Sequence, residues 1–260
     1  MTQIPSGLEQ SATTHLRNSR NDSADHLLDG RVVLHQPESG YRVSIDAVFL
    51  AAAVPAKPGQ KVLEVGLGTA AASLCLAARV EGLDLTGLEL QPELAAIARR
   101  NVKANGREGV LSVVEGDLLH PPPAISSDSF DHVFANPPYV ADGNVSPHPT
   151  RALAHAEGEA ELKDWIAFAV SRLKRKGSLT LIHRADRVDE ILSLLRGKAG
   201  EVVIFPLWPK AGVAAKRVVI TARKGVRAPA VLLPGLILHE PDGSFTSAAQ
   251  AVLRQGLAIP

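Results

Sequence analysis

The sequence predicts an α/β fold in which helices cover both faces of a mostly parallel sheet. From about residue 60 to residue 205, short apolar runs alternate with longer amphipathic stretches. These stretches are long enough to be helices, and strands joined by such helices form parallel sheets. Ligands of these sheets bind beyond the carboxyl ends of the strands, near the point where the strand order reverses.

The elements follow from local patterns in chain order. Apolar runs predict strands at residues 61–65, 83–88, 110–114, 130–135, 178–182 and 202–205. Helices are predicted at residues 70–78, 92–104, 159–173 and 187–195, the second with a proline near its start. Before this core, segments 34–37 and 40–43 resemble a hairpin and 46–54 an apolar helix. After it come apolar runs at 218–220, 231–233 and 236–238 and a helix at 247–254.

We therefore expect a flexible leader at residues 1–26, a hairpin and helix at 27–56, and one main domain at 57–260. The first residues are polar and lack the apolar core of a secretory signal. The longest apolar run, 65–78, is broken by Gly66 and Gly68 and is shorter than the roughly 20 residues that span a bilayer. These features predict a cytoplasmic protein without membrane contact, and no obligate protein partner is evident.

Composition narrows the chemistry. Hydrophobic residues make up 45% and charged residues 21% of the chain, as in ordinary globular domains. Cys75 is the single cysteine, which excludes an internal disulfide and a multi-cysteine zinc site, and no metal is expected. Residues 1–160 hold 12 Lys and Arg against 19 Asp and Glu, a net charge of −7, whereas residues 161–260 hold 16 against 8, a net charge of +8. A basic half can attract a polyanion, although solvated surface charges explain the asymmetry equally simply.

A glycine-rich turn between the first predicted strand and helix indicates a nucleotide site. Gly66 and Gly68 allow a tight turn and a close approach of the backbone to a ligand. Glu89 ends the second strand, where a carboxylate can accept both ribose hydroxyls, and we place Leu90 beside it among the cofactor-binding residues. This pattern suits nicotinamide dinucleotides and S-adenosylmethionine alike.

Two further acidic residues bear on the choice of cofactor. Glu64 precedes the turn, where a negative charge repels a pyrophosphate but can pair with the amino group of a methionine moiety. Asp117 follows the third strand, where it either accepts a hydrogen bond from an adenine amino group or caps the next turn. Glu64 favours S-adenosylmethionine, and both roles stay open for Asp117.

The segment Asn136-Pro137-Pro138-Tyr139 follows the fourth strand and is the candidate catalytic site. A rigid Pro-Pro turn alone explains neither the polar residue before it nor the aromatic residue after it. The Asn136 side-chain carbonyl and the Pro137 backbone carbonyl can each accept one N–H of a planar exocyclic amine. Tyr139 offers a ring on which a base can stack. This chemistry needs neither a metal nor a strong general base.

This segment resembles the Asn/Asp-Pro-Pro-aromatic motif of amino methyltransferases of the Rossmann-like class I. The resemblance implies a seven-stranded sheet and S-adenosylmethionine as methyl donor. Segments 36–50, 151–165, 216–218 and 238–246 also resemble bacterial tRNA(Val) adenine-N6 methyltransferases, so that the likeness spans about residues 27 to 255. That group implies the adenosine 3′ of the anticodon in tRNA as substrate, and it implies that Tyr41 and Asp46 lie near the methionine end of the cofactor.

Two residues depart from the family pattern. Glu64 stands where Asp is usual, and Ala70 replaces a third glycine. Ala70 should be tolerated if it begins the helix with negative φ, and neither change predicts an inactive enzyme.

An anticodon loop suits the basic second half, because its unpaired bases can be splayed out without melting a duplex. Segment 140–157 can close over the base, with His148, Arg151 and His155 as contact candidates, although an ordinary loop role is favoured for each. Trp165 and Trp208 are expected in the core. The residues expected to meet phosphates are Arg184, Arg187, Lys210, Lys216, Arg217, Arg223, Lys224 and Arg227.

Three alternatives remain. Protein glutamine methyltransferases of the release-factor type use the same tetrapeptide on an amide, but they carry a helical domain before the core, and only about 60 residues precede Lys61 here. Guanine-N2 methylation of ribosomal RNA involves another planar amine. A non-catalytic RNA-binding module is disfavoured by the intact Asn136 and Tyr139.

Overall fold

The computed structural model of the chain describes residues 24–37, 43–138 and 160–260. Residues 1–23 of the predicted leader, Tyr41, Tyr139 and segment 140–157 with its three contact candidates lie outside these residues. The last two residues of the predicted leader, Asp25 and His26, belong to the first strand. The strands of the described residues are β1 Asp25–Leu27, β2 Val32–Leu34, β3 Lys61–Val65, β4 Asp84–Glu89, β5 Leu111–Glu115, β6 Phe130–Ala135, β7 Leu173–Arg184, β8 Ala199–Trp208, β9 Arg217–Lys224, β10 Val231–Leu232 and β11 Leu236–Ile237. The helices are α1 Asp46–Ala53, α2 Ala71–Arg79, α3 Pro92–Ala104, α4 Leu162–Arg172, α5 Val188–Leu195 and α6 Ser247–Gln255.

A nine-stranded sheet forms the centre of the described part of the chain, in the order β10-β8-β9-β7-β6-β3-β4-β5, with β11 also paired to β8. β9 is antiparallel to both of its neighbours, and every other pairing in this sheet is parallel. The predicted mostly parallel sheet is confirmed. It exceeds seven strands because the short runs β10 and β11 pair with β8 and cover its otherwise open edge.

Apolar side chains pack on both faces of this sheet, as predicted. One layer unites α1, α2, α3 and α6 through residues such as Leu50, Leu74 and Val252. The other layer carries α4 and α5, whose Ile166 and Ile191 are fully buried. In the described residues, no helix is both long and apolar enough to cross a bilayer.

A hairpin precedes the segments in which one was predicted. Its strands are β1 and β2, which pair antiparallel through Leu27 and Val32. The predicted pairing of segments 34–37 and 40–43 involves residues 40–42, which lie outside the described residues, and it stays a prediction. The side-chain amides of Asn101 in α3 and of Asn105, which follows α3, bind the backbone of β2 and the residue after it as a neighbouring strand would. Asn105 exchanges two hydrogen bonds with Val33, and Asn101 exchanges two with His35, all between 2.7 and 2.9 Å. The apolar helix predicted at 46–54 is confirmed as α1.

Candidate active site

The strand register brings the predicted cofactor loop and the tetrapeptide to one place. Val65 aligns with Ala135 of β6 on one side and with Leu88 of β4 on the other. Gly66 and Asn136 therefore leave the sheet together at its carboxyl edge, beside Glu89, the last residue of β4, on strands about 4.8 Å apart. The chain runs from β3 to β4 in one direction while β6 lies on the other side, so this is the point where the strand order reverses. Ligands of doubly wound sheets bind at such a point.

The glycine turn is held in place by β4 and by a tryptophan. The backbone N–H groups of Gly66 and Leu67 both donate to the Leu88 carbonyl at 2.9 Å. Gly66 has φ +72°, and a Cβ on it would lie 2.6 Å from Cη2 of Trp165. Trp165 is 8% exposed, as expected for a core residue. The indole of α4 thus occupies the space that any side chain at position 66 would need.

Glu89 is oriented by the turn that faces it. Its carboxylate accepts from the backbone N–H of Gly68 at 2.7 Å and of Gln91 at 2.9 Å. Burial raises the pKa of Glu89, while those backbone hydrogen bonds oppose the rise. The backbone N–H of Leu90 also interacts with this carboxylate. Because a carboxylate has about four acceptor positions, these three donors leave acceptor capacity for a ribose hydroxyl. Leu90 is 37% exposed beside it.

The glycine turn is open at Gly68. A Cβ on Gly68 would meet no atom of the described residues within 4 Å, so the loop borders open space at that point. Asp117 lies beyond β5, where its carboxylate accepts from Leu119 N at 2.8 Å and contacts the His120 ring at 3.3 Å. The capping role of Asp117 is therefore present, and its contact with adenine stays a prediction.

Glu64 faces α2. Its buried carboxyl accepts from both the backbone N–H, at 3.0 Å, and the hydroxyl of Ser73. Burial raises the pKa of Glu64 from 4.5 to about 8, with the Ser73 hydrogen bonds opposing the rise and the charge of Glu89 adding to it. At neutral pH this group is mostly protonated, so it does not carry the full negative charge that the sequence analysis assumed. Its pairing with a methionine amino group stays a prediction.

Glu64→Gln is expected to change how stability depends on pH. Between about pH 4.5 and about pH 8, Glu64 is protonated in the folded chain but ionised in the unfolded chain. The contribution of this proton to the free energy of unfolding is therefore complete below about pH 4.5, decreases across this window, and is lost as the pH rises through 8. Within the window, the free energy of unfolding falls by up to about 1.4 kcal/mol per pH unit. Glutamine keeps an acceptor for Ser73 but does not titrate. Urea unfolding at about pH 5 and about pH 8 measures the free energy of unfolding of both proteins. The value for the variant, relative to that of the parent, should be higher at about pH 8 than at about pH 5. An equal difference at the two pH values would contradict this account.

The expectation for Ala70 is wrong. Ala70 has φ +69° and ψ +19° and precedes α2 rather than beginning it. The turn from the loop into α2 keeps the left-handed conformation even though the third glycine is missing. This conformation costs a non-glycine residue about 1–2 kcal/mol, and the fully buried methyl group of Ala70 offsets part of that cost.

Asp46 starts α1 and is tied to β9. Its Oδ2 accepts from Nε of Arg217 at 2.9 Å, and the Asp46 side chain is 10% exposed. Arg217 aligns with Arg184 of β7 at the carboxyl edge. This ion pair places the start of α1 beside the edge that holds Gly66 and Asn136, where the resemblance puts Asp46.

The tetrapeptide begins directly after β6. Asn136 and Pro138 are half-buried, and Pro137 is buried. Both prolines lack an N–H, so the segment cannot continue the pairing of β6. The described residues contain no cis peptide bond, and Pro137 presents its carbonyl from a trans backbone with restricted φ.

The basic residues divide between the two edges of the sheet. Arg184, Arg187, Lys210, Lys216 and Arg217 follow or precede strand ends at the carboxyl edge. β9 is antiparallel, so its other end, with Arg223 and Lys224, lies at the opposite edge, about 23 Å away at the usual rise per residue. Arg227 follows there. Only the first group therefore lies at the same edge of the sheet as the candidate site.

Sequence reasoning missed several residues that shape the site. Ser73 bonds Glu64, and Asn101 of α3 donates to the Thr69 carbonyl at 2.9 Å, which fixes the end of the glycine loop. Both are polar residues at buried positions of otherwise apolar helix faces, which is the signal that could have identified them. Trp165 was expected only as a core residue. Trp208, also expected in the core, is half-buried, and its indole donates to the Pro234 carbonyl at 2.8 Å.

Comparison with solved structures defines the class. The model superposes on a predicted O-methyltransferase, protein Atu636 from Agrobacterium tumefaciens, with a TM-score of 0.69 and 28% identity, over 82% of this chain and 98% of that one. The tRNA (m1A58) methyltransferase TrmI from Aquifex aeolicus shares the fold at a TM-score of 0.53 and 14% identity, over 74% of this chain and 73% of that one. The fold is that of a Rossmann-like class I S-adenosylmethionine-dependent methyltransferase.

Residues 39–202 match the methyltransferase small domain family, and the chain belongs to that family. Two similar proteins are both named tRNA1(Val) (adenine(37)-N6)-methyltransferase. The protein from Haemophilus influenzae (strain PittEE) is 26% identical over 220 residues, 83% of this chain and 90% of its own. That from Aeromonas salmonicida (strain A449) is 28% identical over 211 residues, 79% and 85% respectively. The family and fold imply S-adenosylmethionine use, which the open volume beside Gly68 and the free acceptor positions of Glu89 fit.

Proposed function

We propose that this protein methylates the exocyclic N6 of an adenosine next to the anticodon of a tRNA, with valine tRNA as the first candidate. The observation that carries the proposal is the register of β3 and β6, which sets Asn136 beside Gly66. An amine-binding motif therefore borders the cofactor loop. The names of the similar proteins from Haemophilus and Aeromonas support tRNA as the substrate.

The reaction depends on how the amine is held. The lone pair of an adenine amine is delocalised into the ring, so the planar nitrogen is a poor nucleophile. The Asn136 side-chain carbonyl and the Pro137 backbone carbonyl each accept one N–H and pull the nitrogen toward a tetrahedral shape, which withdraws the lone pair from the ring system and turns it toward the methyl donor. When bound, S-adenosylmethionine supplies a methyl group on a positively charged sulfur. Tyr139 supports the base by stacking, and positioning supplies most of the rate.

Residues of the loop and strands hold the cofactor in this proposal. Glu89 accepts the ribose hydroxyls, Leu90 packs against the adenine, and Asp117 lies within the same edge of the sheet. Tyr41, Asp46 and Glu64 serve the methionine end. Gly66 and Gly68 allow the backbone to approach the ligand.

A charge reversal at the carboxyl edge should weaken RNA binding, whereas a reversal at the opposite edge should not. Lys216 and Arg227 are both exposed and lie on the two sides. Losing one phosphate contact near 0.1 M salt costs about five- to tenfold in affinity and lowers the salt slope by about one. We expect this for Lys216→Glu and little change for Arg227→Glu in filter binding with tRNA over a salt series. Equal loss in the two variants would indicate non-specific attraction and would remove the carboxyl edge as the RNA surface.

The assignment of the substrate is tested by incubating the protein with S-adenosylmethionine labelled in its methyl group and with total tRNA, ribosomal RNA or protein. Digestion and chromatography of the labelled fraction should yield N6-methyladenosine from tRNA. Recovery of N2-methylguanosine from ribosomal RNA, or of methylglutamine from protein, would replace the proposal with one of the two enzymatic alternatives. Absence of cofactor binding in calorimetry would instead favour a non-catalytic RNA-binding module.

A further inference from the structure

A short hairpin near the C-terminus lies at the same edge of the sheet as Asn136. β11 pairs parallel with the end of β8 through Leu236 and Leu207. The chain then continues past that edge, with Leu238 N donating to the Trp208 carbonyl at 2.8 Å and His239 N to the Pro209 carbonyl at 3.1 Å. The following residues, 238–246, are called the edge hairpin below. β11 is four strands away from β6, which corresponds to about 19 Å.

The edge hairpin is closed by its own hydrogen bonds. Glu240 N donates to the Ser244 carbonyl at 2.8 Å, and the Asp242 carboxylate accepts from both the backbone N–H and the hydroxyl of Ser244. Gly243 takes φ +93°, a conformation that favours glycine at this tight turn. The Thr246 N–H donates back to the Leu238 carbonyl at 2.9 Å. The hairpin therefore presents its side chains from a fixed backbone.

Two aromatic rings stack across the edge hairpin. His239 and Phe245 form an antiparallel bridge, and their ring centroids are 4.6 Å apart with 26° between the planes. Phe245 packs against the apolar core, while His239 Nδ1 contacts the Gly243 carbonyl at 3.1 Å. The imidazole is thus backed by Phe245, held at its edge and only partly buried.

Charged side chains surround the His239 and Phe245 rings and differ in sign from place to place, which bears on where the phosphates and bases of a nucleic acid could bind. Lys210 donates to the Pro241 carbonyl of the hairpin at 2.9 Å, and the exposed Lys216 directly precedes β9, the strand between β8 and β7, so two cations lie near the hairpin at this edge of the sheet. The hairpin itself carries the exposed carboxylates Glu240 and Asp242, which repel phosphate. A polyanion bound here directs its phosphates to the lysines and its unpaired bases to the rings.

We propose that the edge hairpin is a second RNA-binding element, in which the His239 ring, backed by Phe245, stacks on an unpaired base of the same RNA whose adenosine enters the Asn136 site. Stacking on aromatic rings is the usual way in which proteins hold splayed bases. The separation of about 19 Å is too large for one nucleotide and suits a folded RNA that spans both points. This inference rests on the proposed RNA methylation.

The test compares His239→Ala with His239→Phe, using unfractionated tRNA as the probe. Loss of one stacking contact should weaken tRNA affinity about tenfold or more in filter binding. The loss should appear in KM for tRNA, with kcat at saturating tRNA and S-adenosylmethionine affinity unchanged. His239→Phe keeps a ring and should bind within about twofold of the parent. Thermal melting of both variants reports on folding.

The outcomes separate this proposal from the proposed function. Methylation of tRNA by the parent with equal tRNA binding by His239→Ala overturns the stacking element and leaves the function standing. His239→Phe binding as weakly as His239→Ala also overturns stacking, because only the ring face is retained in that variant. If the acceptor is another RNA and His239→Ala weakens binding of that RNA, the element stands and the tRNA assignment fails. If the parent binds and methylates no RNA, both fail.

Discussion

Asn136→Ala is expected to lower kcat for methyl transfer by at least about 100-fold, while affinity for S-adenosylmethionine stays nearly unchanged. The loss falls on the geometry of the amine, since one of its two N–H acceptors is removed, and removal of one positioned hydrogen-bonding group at a reaction centre typically costs about 10²–10³ in kcat. Asn136 follows β6 at the edge, whereas the backbone donors that hold Glu89 come from Gly68 and Gln91. Calorimetry for the cofactor and single-turnover kinetics measure the two effects separately.

Asn136→Asp is the matched control, because the family motif admits either residue and aspartate keeps an oxygen acceptor at the same position. It should retain markedly more activity than Asn136→Ala. Near-normal methylation by Asn136→Ala would exclude the amine-holding mechanism. Equal loss of cofactor binding and turnover would show that Asn136 instead supports the glycine loop.

Gly66→Ala and Gly68→Ala are expected to fail in different ways, although both glycines are left-handed residues of one loop. At Gly66 the new methyl group would lie 2.6 Å from the Trp165 ring, in addition to the strain of φ +72°. Overpacking and strain together should cost about 2–5 kcal/mol, which lowers Tm by about 10 °C in a chain of this size. At Gly68 only the strain of about 1–2 kcal/mol applies, so Tm should fall by about 2–8 °C, less than for Gly66→Ala.

Cofactor affinity, unlike stability, should be reduced mainly by Gly68→Ala. A methyl group on Gly68 meets no protein atom within 4 Å and enters the volume assigned to the nucleoside, so affinity should fall about tenfold or more with little loss of stability. Trp165→Leu shortens the ring that blocks position 66 and should therefore recover part of the stability of Gly66→Ala in a double-mutant cycle. Additive effects in that cycle would show that Trp165 does not block position 66. Unchanged cofactor affinity in Gly68→Ala would show that the nucleoside does not bind beside Gly68.

Much of the fold is predictable because its signals are local. The alternation of apolar runs and helices gave β3, β6 and α3 their observed bounds, and several other elements came within a few residues. The glycine turn and Asn136-Pro137-Pro138 each follow a strand, so a parallel sheet places them at one edge whatever the details of packing. β10 and β11 were visible as apolar runs, but their pairing with β8 was not, because two-residue strands carry no register signal.

Other features depend on residues that are distant along the chain. The left-handed φ of Ala70 is imposed by the fixed positions of the loop and α2, whereas local preference favours negative φ. The backbone around β2 is held by the side-chain amides of Asn101 and Asn105, contacts that periodicity does not reveal. Composition counts Arg217 and Lys224 together as basic residues of the second half of the chain. They lie at opposite edges of the sheet because they stand at the two ends of β9, and the antiparallel direction of β9 puts Arg217 at the carboxyl edge.

The sequence by itself determined the class of sheet and the placement of the glycine turn, Glu89 and Asn136 at the ends of their strands, because each depends on periodicity or on turn residues close in sequence. The tertiary structure decided that Trp165 fills the space at Gly66, that Arg217 holds Asp46, that burial keeps Glu64 largely protonated at neutral pH, and that the stacked His239 ring lies at the same edge of the sheet as the site. These depend on burial and on contacts between distant segments, which exist only after the sheet has assembled.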